Sequence, residues 1–185
     1  MASTSPRRLG AVLAGGMATR FGSDKALALW RGEPLISHVL SALAEHSETV
    51  VVCGRPWPGF IALPDRPMGA LGPMGGLNAA LHYAAAQGYD GVLTAGCDTP
   101  VLPKDLLSLL GGGETHVVFE DMPILGYWPS SLAPALEAHL ATSSDRSVRR
   151  WAKLAGARLV RLGADIANIN TPADLDALSQ RTDLA

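Results

Sequence analysis

The segment from Leu9 to Lys25 combines an apolar stretch, two glycines and two basic side chains, a pattern suited to holding a polyphosphate. Its apolar beginning has the composition of a short buried strand. Gly15 and Gly16 follow at once, and glycine lets a backbone turn sharply and bring its N–H groups close to an anion. Arg20 and Lys25 then add full positive charge. The pattern predicts a loop that binds a nucleotide triphosphate after the first strand.

This loop matches neither of the two common glycine-rich nucleotide motifs. The Walker A pattern G-x-x-x-x-G-K-[ST] cannot be threaded through it, and the dinucleotide pattern G-x-G-x-x-G is absent. The alternative is an ordinary glycine turn with solvated basic residues behind it. A glycine pair alone would favour that alternative, but the whole spaced run favours nucleotide binding.

A second candidate position is Asp98, in the run T-A-G-C-D-T-P at residues 94–100. An apolar strand is predicted to end here, because Pro100 and Pro103 prevent its continuation. Ligands of open α/β sheets bind beyond the carboxyl ends of the strands, and a carboxylate there suits Mg²⁺. The alternative is that Asp98 only caps the next turn. Together with the glycine loop, the metal interpretation is favoured.

The elements that must position these residues alternate along the chain. Strands are predicted at 9–14, 49–53, 60–63, 91–95, 115–119, 124–128 and 159–162, and helices after Pro34 and at 77–87, 103–110, 131–140 and 147–154. This alternation predicts an α/β fold, with three layers and a mostly parallel central sheet. We expect residues 1–8 to form a frayed tail and residues 9–185 to form a single domain.

Composition narrows the classes of function. The 185-residue chain has a formal net charge of −2 and no broad basic face, so we expect no nucleic-acid partner. No uncharged apolar run approaches the roughly 20 residues of a membrane span, and we expect no membrane association. The two cysteines do not form a C-x-x-C motif, and the five histidines show no metal-binding spacing. These features predict a cytoplasmic protein.

The run L-A-G-G-x-x-x-R-F-G-x-D-K at residues 13–25, with G-E-P-L at 32–35, resembles the molybdopterin nucleotidyltransferase family that contains the molybdenum cofactor guanylyltransferases. The resemblance extends from Leu9 to about Leu178. Sugar-1-phosphate nucleotidyltransferases share the glycines, the Arg and the Lys, but usually in a longer loop. The spacing here, with Asp24 directly before Lys25, resembles that of the molybdopterin branch. The resemblance implies a Rossmann-like nucleotidyltransferase domain.

The resemblance also implies roles for residues outside the loop. It implies that Asp98 binds magnesium and that Asp65 contacts the nucleotide. The segment G-P-M-G-G around Gly75 is similar to a family segment that would approach the base or ribose. In the run N-I-N-T-P-A-D-L at 168–175, it implies that Asn168 and Asn170 line the active site, whereas the following T-P-A-D is explained by helix capping.

The purine pocket is expected to form from the backbone of Leu13, Ala14 and Gly15 together with Asp65. The L-A-G-G run resembles the guanylyl enzymes, whereas cytidylyl relatives tend to have L-A-A-G. The chain departs from the family at Cys53, where guanylyltransferases place an Asn that touches the nucleotide. It departs again at 120–127, which is short for the usual polar loop on the acceptor side.

The implied reaction is the Mg²⁺-dependent transfer of GMP from GTP to the molybdopterin cofactor, with release of pyrophosphate. Arg20, Lys25 and Asp98 are the expected catalytic residues, since two anions must be brought together and their charge balanced. Transient contact with cofactor-biosynthesis proteins or acceptor molybdoenzymes is expected. The alternatives are a cytidylyltransferase on the same cofactor, a sugar-1-phosphate nucleotidyltransferase, and a non-catalytic protein that binds nucleotide and delivers cofactor.

Overall fold

The computed structural model describes residues 6–15, 24–69, 71–113, 115–161 and 166–182. Within these residues, strands and helices alternate for most of the chain. The strands are β1 (Arg8–Leu13), β2 (Leu29–Trp30), β3 (Glu33–Pro34), β4 (Thr49–Cys53), β5 (Ile61–Leu63), β6 (Gly91–Gly96), β7 (Val117–Phe119), β8 (Gly126–Pro129) and β9 (Arg158–Val160). The α-helices are α1 (Leu35–Ala44), α2 (Pro73–Ala86), α3 (Leu106–Leu109), α4 (Ala133–Thr142), α5 (Val148–Leu154) and α6 (Pro172–Thr182).

The central sheet has the strand order β5-β4-β1-β6-β8-β7-β9 across the described residues, and β2 and β3 form a separate small hairpin. The neighbours β5, β4, β1 and β6 all run parallel. The strand β8 runs antiparallel to both β6 and β7, whereas β7 and β9 are again parallel. The predicted α/β fold with a mostly parallel sheet is confirmed.

Two apolar cores cover the two faces of this sheet. On one face α1 packs against alternate residues of β1 and β4, with Val12 and Val52 among the contacts. On the other face α2 and α4 cover the remaining residues of the same strands, including Ala11 and Val51. Because both faces are buried, these strands are apolar throughout rather than alternating. The three predicted layers follow from this double burial.

The antiparallel strand β8 is attached to β6 by a buried polar contact. The Thr94 hydroxyl donates to the Ile124 carbonyl at 2.6 Å and accepts from the Trp128 indole at 2.9 Å. Thr94 and Trp128 are both fully buried. A buried hydroxyl in such a position satisfies groups that would otherwise be costly to bury, and it connects β8 to the strand that leads to Asp98.

Two helices differ from the sequence prediction in ways that affect the site. The helix predicted at 77–87 begins at Pro73, because Gly72 takes a positive φ of 59° and Pro73 occupies the first turn, where its missing N–H costs nothing. The G-P-M-G-G segment is therefore mostly helix rather than loop. The helix predicted at 103–110 is reduced to α3, a single turn.

The fold also begins earlier than expected. The strand β1 starts at Arg8, and the Arg7 backbone N–H donates to the Asp90 carboxylate at 2.7 Å. The Arg7 guanidinium lies 4.7 Å from the centre of the Tyr89 ring. Arg7 and Arg8 thus belong to the folded part of the chain. Among the described residues, none of the helices has the length and apolar character needed to cross a membrane.

The ends of β1 and β4 approach each other closely at two glycines. A Cβ on Gly54 would lie 2.7 Å from the Gly15 backbone nitrogen, and Gly54 has a φ of +86°. Both the conformation and the space therefore require glycine at this position. The contact fixes the start of the predicted phosphate loop against the end of the neighbouring strand.

We expect Gly54→Ala to destabilise the protein more than Gly59→Ala. Gly59 has a similar φ of +80°, but a Cβ there would meet no atom within 4 Å. Both variants bear the strain of a positive φ, about 1–2 kcal/mol, and only Gly54→Ala adds a backbone overlap worth about 1–3 kcal/mol. Thermal unfolding of the two variants measures the difference directly. Equal melting temperatures would contradict the close approach of Gly15 and Gly54.

Candidate active site

A pocket of about 210 Å³ opens at the carboxyl ends of the central parallel strands. Six parts of the chain line it: residues 13–15 at the end of β1, residues 24–26, Arg55 after β4, Pro73 at the start of α2, residues 96–98 at the end of β6, and Ile124. Carboxyl ends of parallel strands meet at one edge of a sheet, so residues distant in sequence share this pocket.

The ammonium group of Lys25 lies at the centre of the polar contacts. Its Nζ donates to Asp98 Oδ2 at 2.8 Å and to Asn170 Oδ1 at 3.0 Å. The Lys25 side chain is 12% exposed and that of Asp98 is 25% exposed, so the ion pair is largely shielded from water. Such shielding strengthens the electrostatic interaction relative to a surface pair.

The C-terminal segment is held against the end of β6 by its backbone. The Ile169 N–H donates to the Asp98 carbonyl at 2.9 Å. The Asp174 carboxylate accepts from the N–H groups of Asn170 and Thr171 at 2.8 and 2.7 Å, and these bonds lower the pKa of Asp174. Helix capping therefore explains Asp174 as expected, and the same cap orients Asn170 toward Lys25.

Arg55 and Asp24 form a second ion pair in the same pocket. The guanidinium Nη1 and Nη2 atoms donate to the two carboxylate oxygens of Asp24 at 2.8 and 2.5 Å. This two-point contact lowers the pKa of Asp24 and raises that of Arg55, in each case mainly through the side-chain hydrogen bonds. The forked geometry is the one in which Arg binds a carboxylate most strongly.

Asp65 lies beside this pocket, with its carboxylate packed against glycines. Its Oδ1 atom is 3.6 Å from where a Gly15 Cβ would stand. That oxygen is shielded from solvent and has no hydrogen-bond partner in the described part of the chain. Burial raises the pKa of Asp65 above its usual value. On its other side Asp65 borders an open groove of about 430 Å³ near His82 and Tyr83.

Gly75 and Gly76 lie in the first turn of α2, where packing requires them to be small. A Cβ on Gly75 would lie 2.9 Å from the Asp65 Cβ, and one on Gly76 would lie 2.9 Å from the Cys53 Cβ. The glycine pair thus lets α2 approach Asp65 and the end of β4. The expected loop around Gly75 is replaced by a helical turn, and this packing accounts for Gly75 without a ligand.

Both thiols are poor candidates for nucleophilic chemistry. Cys53 is fully buried, and burial raises its pKa to about 12. Its side chain makes no contact with the pocket, so this position supplies nothing equivalent to an amide. Cys97 lines the pocket, but burial also raises its pKa, to about 11. Thiols with such values stay protonated at neutral pH and are therefore unreactive.

The structure brings together most of the residues selected from the sequence. Leu13, Ala14, Gly15, Lys25 and Asp98 line the pocket. Asn170 joins it through Lys25, and Asp65 and Gly75 lie at its border.

The remaining selected residues are not placed in the pocket. Asn168 is exposed and lies outside its lining. Gly16 and Arg20 fall outside the described residues, so their expected roles remain predictions.

Sequence reasoning missed Arg55 and its ion pair with Asp24. In the sequence, Arg55 lies in the turn Gly54-Arg55-Pro56, where a solvated side chain is the ordinary interpretation. A signal was nevertheless present, because Arg55 lies two residues after the end of a strand predicted to belong to the parallel sheet. The carboxyl-end rule that selected Asp98 applies equally to Arg55.

Two side-chain oxygens at the site are of the kind that a hard cation prefers as ligands. Asp98 Oδ2 and Asn170 Oδ1 both lie within 3.0 Å of one positively charged group, the Lys25 ammonium. Carboxylate and amide oxygens are typical ligands of Mg²⁺, which completes its shell with phosphate oxygens and water. Within the described ranges, no group of three or more His, Cys, Asp or Glu side chains forms a complete metal site. The residues present therefore fit Mg²⁺ that arrives together with phosphate.

Comparisons with known proteins agree with this geometry. The family model described as the MobA-like NTP transferase domain matches residues 10–159. The molybdenum cofactor guanylyltransferase of Rhodobacter capsulatus is 35% identical over 188 residues, covering 95% of this chain and 96% of that protein. The probable molybdenum cofactor guanylyltransferase of Deinococcus radiodurans is 37% identical, covering 92% of this chain and 93% of that protein.

A solved structure shares the fold. The crystal structure of molybdopterin-guanine dinucleotide biosynthesis protein A from Archaeoglobus fulgidus matches with a TM-score of 0.72 and 23% identity, over 96% of this chain and 100% of that chain. The family model spans the segments that carry Lys25 and Asp98, and the relatives align over nearly their whole length. The chain therefore belongs to the molybdenum cofactor guanylyltransferase family, among the MobA-like NTP transferases.

Proposed function

We propose that this protein transfers GMP from GTP to the molybdenum cofactor and releases pyrophosphate. The observation that carries the proposal is the convergence of Lys25, Asp98 and Asn170 beside the glycine-bordered end of β1. A cation and a carboxylate at a backbone-lined pocket suit a phosphate-transfer reaction. The guanylyltransferase names of the full-length relatives support the choice of GTP and of the molybdenum cofactor.

The reaction joins two anions and needs no covalent intermediate on the protein. A terminal phosphate oxygen of the acceptor attacks the α-phosphorus of GTP in line, forming a new P–O bond. The bond between the α-phosphorus and the oxygen that bridges to the β-phosphorus breaks, and pyrophosphate leaves with that oxygen and its electron pair. The attacking phosphate is already ionised near neutral pH, so no general base is required. The protein contributes position and charge balance.

Lys25 supplies charge to the transferring phosphates. Its ammonium is held at a fixed place by Asp98 and Asn170, so little reorganisation is needed when GTP binds. Gly15 brings backbone N–H groups close to the phosphates, and Gly16 is expected to do the same. Arg20 is expected to balance the charge on the departing pyrophosphate.

Asp98 is the proposed ligand of Mg²⁺, with Asn170 Oδ1 as a second oxygen nearby. The ion would neutralise phosphate charge and orient the α-phosphate for attack. Asp98 can take this role without displacing Lys25, because the ammonium contacts its Oδ2 atom and not its Oδ1 atom. The third N–H of Lys25 remains for phosphate, since Asp98 and Asn170 accept from only two. Mg²⁺ dependence is part of the proposal.

Guanine selection is proposed to rest on Asp65 and the backbone of residues 13–15. A carboxylate can accept hydrogen bonds from both N1–H and the 2-amino group of guanine, whereas cytosine offers only its 4-amino group. Asp65 Oδ1 accepts no hydrogen bond from the described residues, so this oxygen is available to a base. Asn168 and Asn170 are proposed to contact the nucleotide or acceptor.

We also propose a cytoplasmic location and transient contacts with cofactor-biosynthesis proteins or acceptor molybdoenzymes. Both cysteines are free, which is compatible with a reducing compartment. A labile cofactor would be protected by direct transfer between proteins.

The decisive experiment is turnover of the purified protein with molybdenum cofactor and Mg²⁺, comparing GTP with CTP, ATP and UTP. Formation of the guanine dinucleotide and pyrophosphate with GTP supports the proposal. Turnover with CTP would favour the cytidylyltransferase alternative. Binding of GTP without turnover would favour a non-catalytic delivery protein.

We predict that Asp65→Asn weakens discrimination between GTP and ITP, which lacks the 2-amino group. A hydrogen bond to a charged partner contributes about 1.5–3 kcal/mol, so the wild type should prefer GTP over ITP by roughly tenfold or more. The variant should bind the two nucleotides with similar affinity, as measured by calorimetry. An unchanged preference would place Asp65 on the ribose or away from the nucleotide.

We predict that Asp65→Asn stabilises the ligand-free protein at neutral pH but not at acidic pH. Burial raises the pKa of Asp65 in the folded protein. The contribution of this carboxyl group to the free energy of unfolding is therefore fully present below the pKa that Asp65 has in the unfolded chain. It is lost as pH rises through the pKa of Asp65 in the folded protein. The melting temperature of the variant minus that of the wild type should therefore increase between about pH 4 and pH 7.5.

Glu137→Gln provides a control of opposite sign for this pH effect. Arg66 donates to Glu137 and lowers its pKa, so its stabilisation is present at neutral pH and is lost as pH falls. The melting temperature of Glu137→Gln minus that of the wild type should thus become more negative from acidic to neutral pH. A parallel response of both variants would refute the assignment of the Asp65 effect to burial.

We predict that Lys25→Gln lowers kcat/KM for GTP by about 10²–10³, because a preorganised charge at the transferring phosphates is lost. Lys153→Gln, at the end of α5, is the matched control and should retain wild-type activity. Steady-state kinetics at saturating acceptor measure both. Wild-type activity in Lys25→Gln would exclude the proposed role of the ammonium.

A further inference from the structure

Residues 54 and 55 contact both flanks of the segment 16–23. Gly15, directly before that segment, packs against Gly54. Asp24, directly after it, is held by the guanidinium of Arg55. Two consecutive residues at the end of β4 therefore hold Gly15 and Asp24, the described residues on either side of that segment.

Asp24 also shapes the turn that carries Lys25. Its Oδ1 accepts the Ala26 N–H at 3.2 Å and so caps the short 3₁₀ helix Lys25–Leu27. The Leu27 N–H donates to the Asp24 carbonyl at 3.0 Å. The same Oδ1 receives Arg55, so one carboxylate connects the guanidinium to the backbone around Lys25.

The position of Arg55 suits this connection better than direct phosphate binding. Both of its terminal nitrogens are engaged by Asp24, and its charge is already balanced by that carboxylate. The Arg55 side chain is 25% exposed, compared with 42% for Asp24, so the guanidinium forms the more buried side of the pair. A guanidinium that bound phosphate through these two nitrogens would first have to release Asp24.

We propose that Arg55 is a positioning residue for the transfer reaction: through Asp24 it fixes the turn from which Lys25 enters the pocket. The inference rests on the proposed function for its catalytic consequence, but not for its structural one. Lys25 is then held at two places, at its backbone by the Arg55–Asp24 pair and at its ammonium by Asp98 and Asn170.

The kinetic test uses Arg55→Gln, Asp24→Asn and the double variant. A misplacement of about 1 Å can cost up to roughly 10²-fold in rate, so each single variant should lose about ten- to hundredfold in kcat, with a smaller change in KM for GTP. The double variant should be no slower than either single one, because both remove the same contact. Arg161→Gln, which breaks the exposed pair with Glu120 at 3.0 Å, is the control and should retain wild-type kcat.

The conservative variant Arg55→Lys adds a rescue experiment. It restores one charged donor to Asp24 and leaves the Asp24 cap on the Ala26 N–H in place, so it should recover part of the kcat lost in Arg55→Gln. If Arg55→Gln fails to fold, Asp24→Asn removes the same pair from its exposed side and carries the test.

Amide hydrogen exchange supplies a measurement that does not depend on activity. Exchange of the peptide covering residues 24–28 should be faster in Arg55→Gln and in Asp24→Asn, whereas the strands β1 and β6 should be unchanged. A wild-type protein without transferase activity would refute the proposed function and leave this structural arm standing.

Two results would overturn the inference. Tighter GTP binding in Asp24→Asn together with weaker binding in Arg55→Gln would show that Arg55 binds phosphate directly and that Asp24 competes for it. Wild-type kcat in both single variants, whatever their exchange rates, would show that the pair does not position Lys25.

Discussion

The constraint on which the site depends is the need to hold a positive charge in a fixed, poorly solvated place before any phosphate arrives. Lys25 meets it because Asp98 and Asn170 accept from its ammonium and only 12% of its side chain is exposed. An ammonium without these partners would be costly to shield. The parallel strands make the arrangement available, since their carboxyl ends bring residues far apart in sequence to one edge.

The sequence predicts where this charged site lies, and the reasons can be identified. Glycines next to basic residues can be recognised without a structure, and so can a carboxylate at the end of an apolar strand. The expectation that Lys25 and Asp98 share a site follows from them. The antiparallel direction of β8 could not be predicted in this way, because alternation and apolar runs carry no information about strand direction. Trp128 and Thr94 connect that strand to β6 through a hydrogen bond. Nothing in the sequence distinguishes them from other buried strand residues.

The errors at the site have a common physical origin. The first turn of α2 has the composition of a loop, since it contains Pro73, Gly75 and Gly76. The two glycines are explained by packing against Asp65 and Cys53, which the sequence does not reveal. Arg55 resembles a solvated turn residue until its partner Asp24 is seen, and the two are 31 positions apart. Local patterns report local conformation, whereas these residues are selected by contacts that only the fold creates.

The bond between Lys25 and Asn170 joins residues 145 positions apart and has a consequence for folding order. Closing so long a loop is entropically unfavourable until the sheet has formed, so we expect this contact to form after the sheet. The strands that surround the pocket can assemble before residues 169–174 reach it. Nucleotide affinity should thus arise only in the completed native state, which prevents a partly folded chain from sequestering substrate.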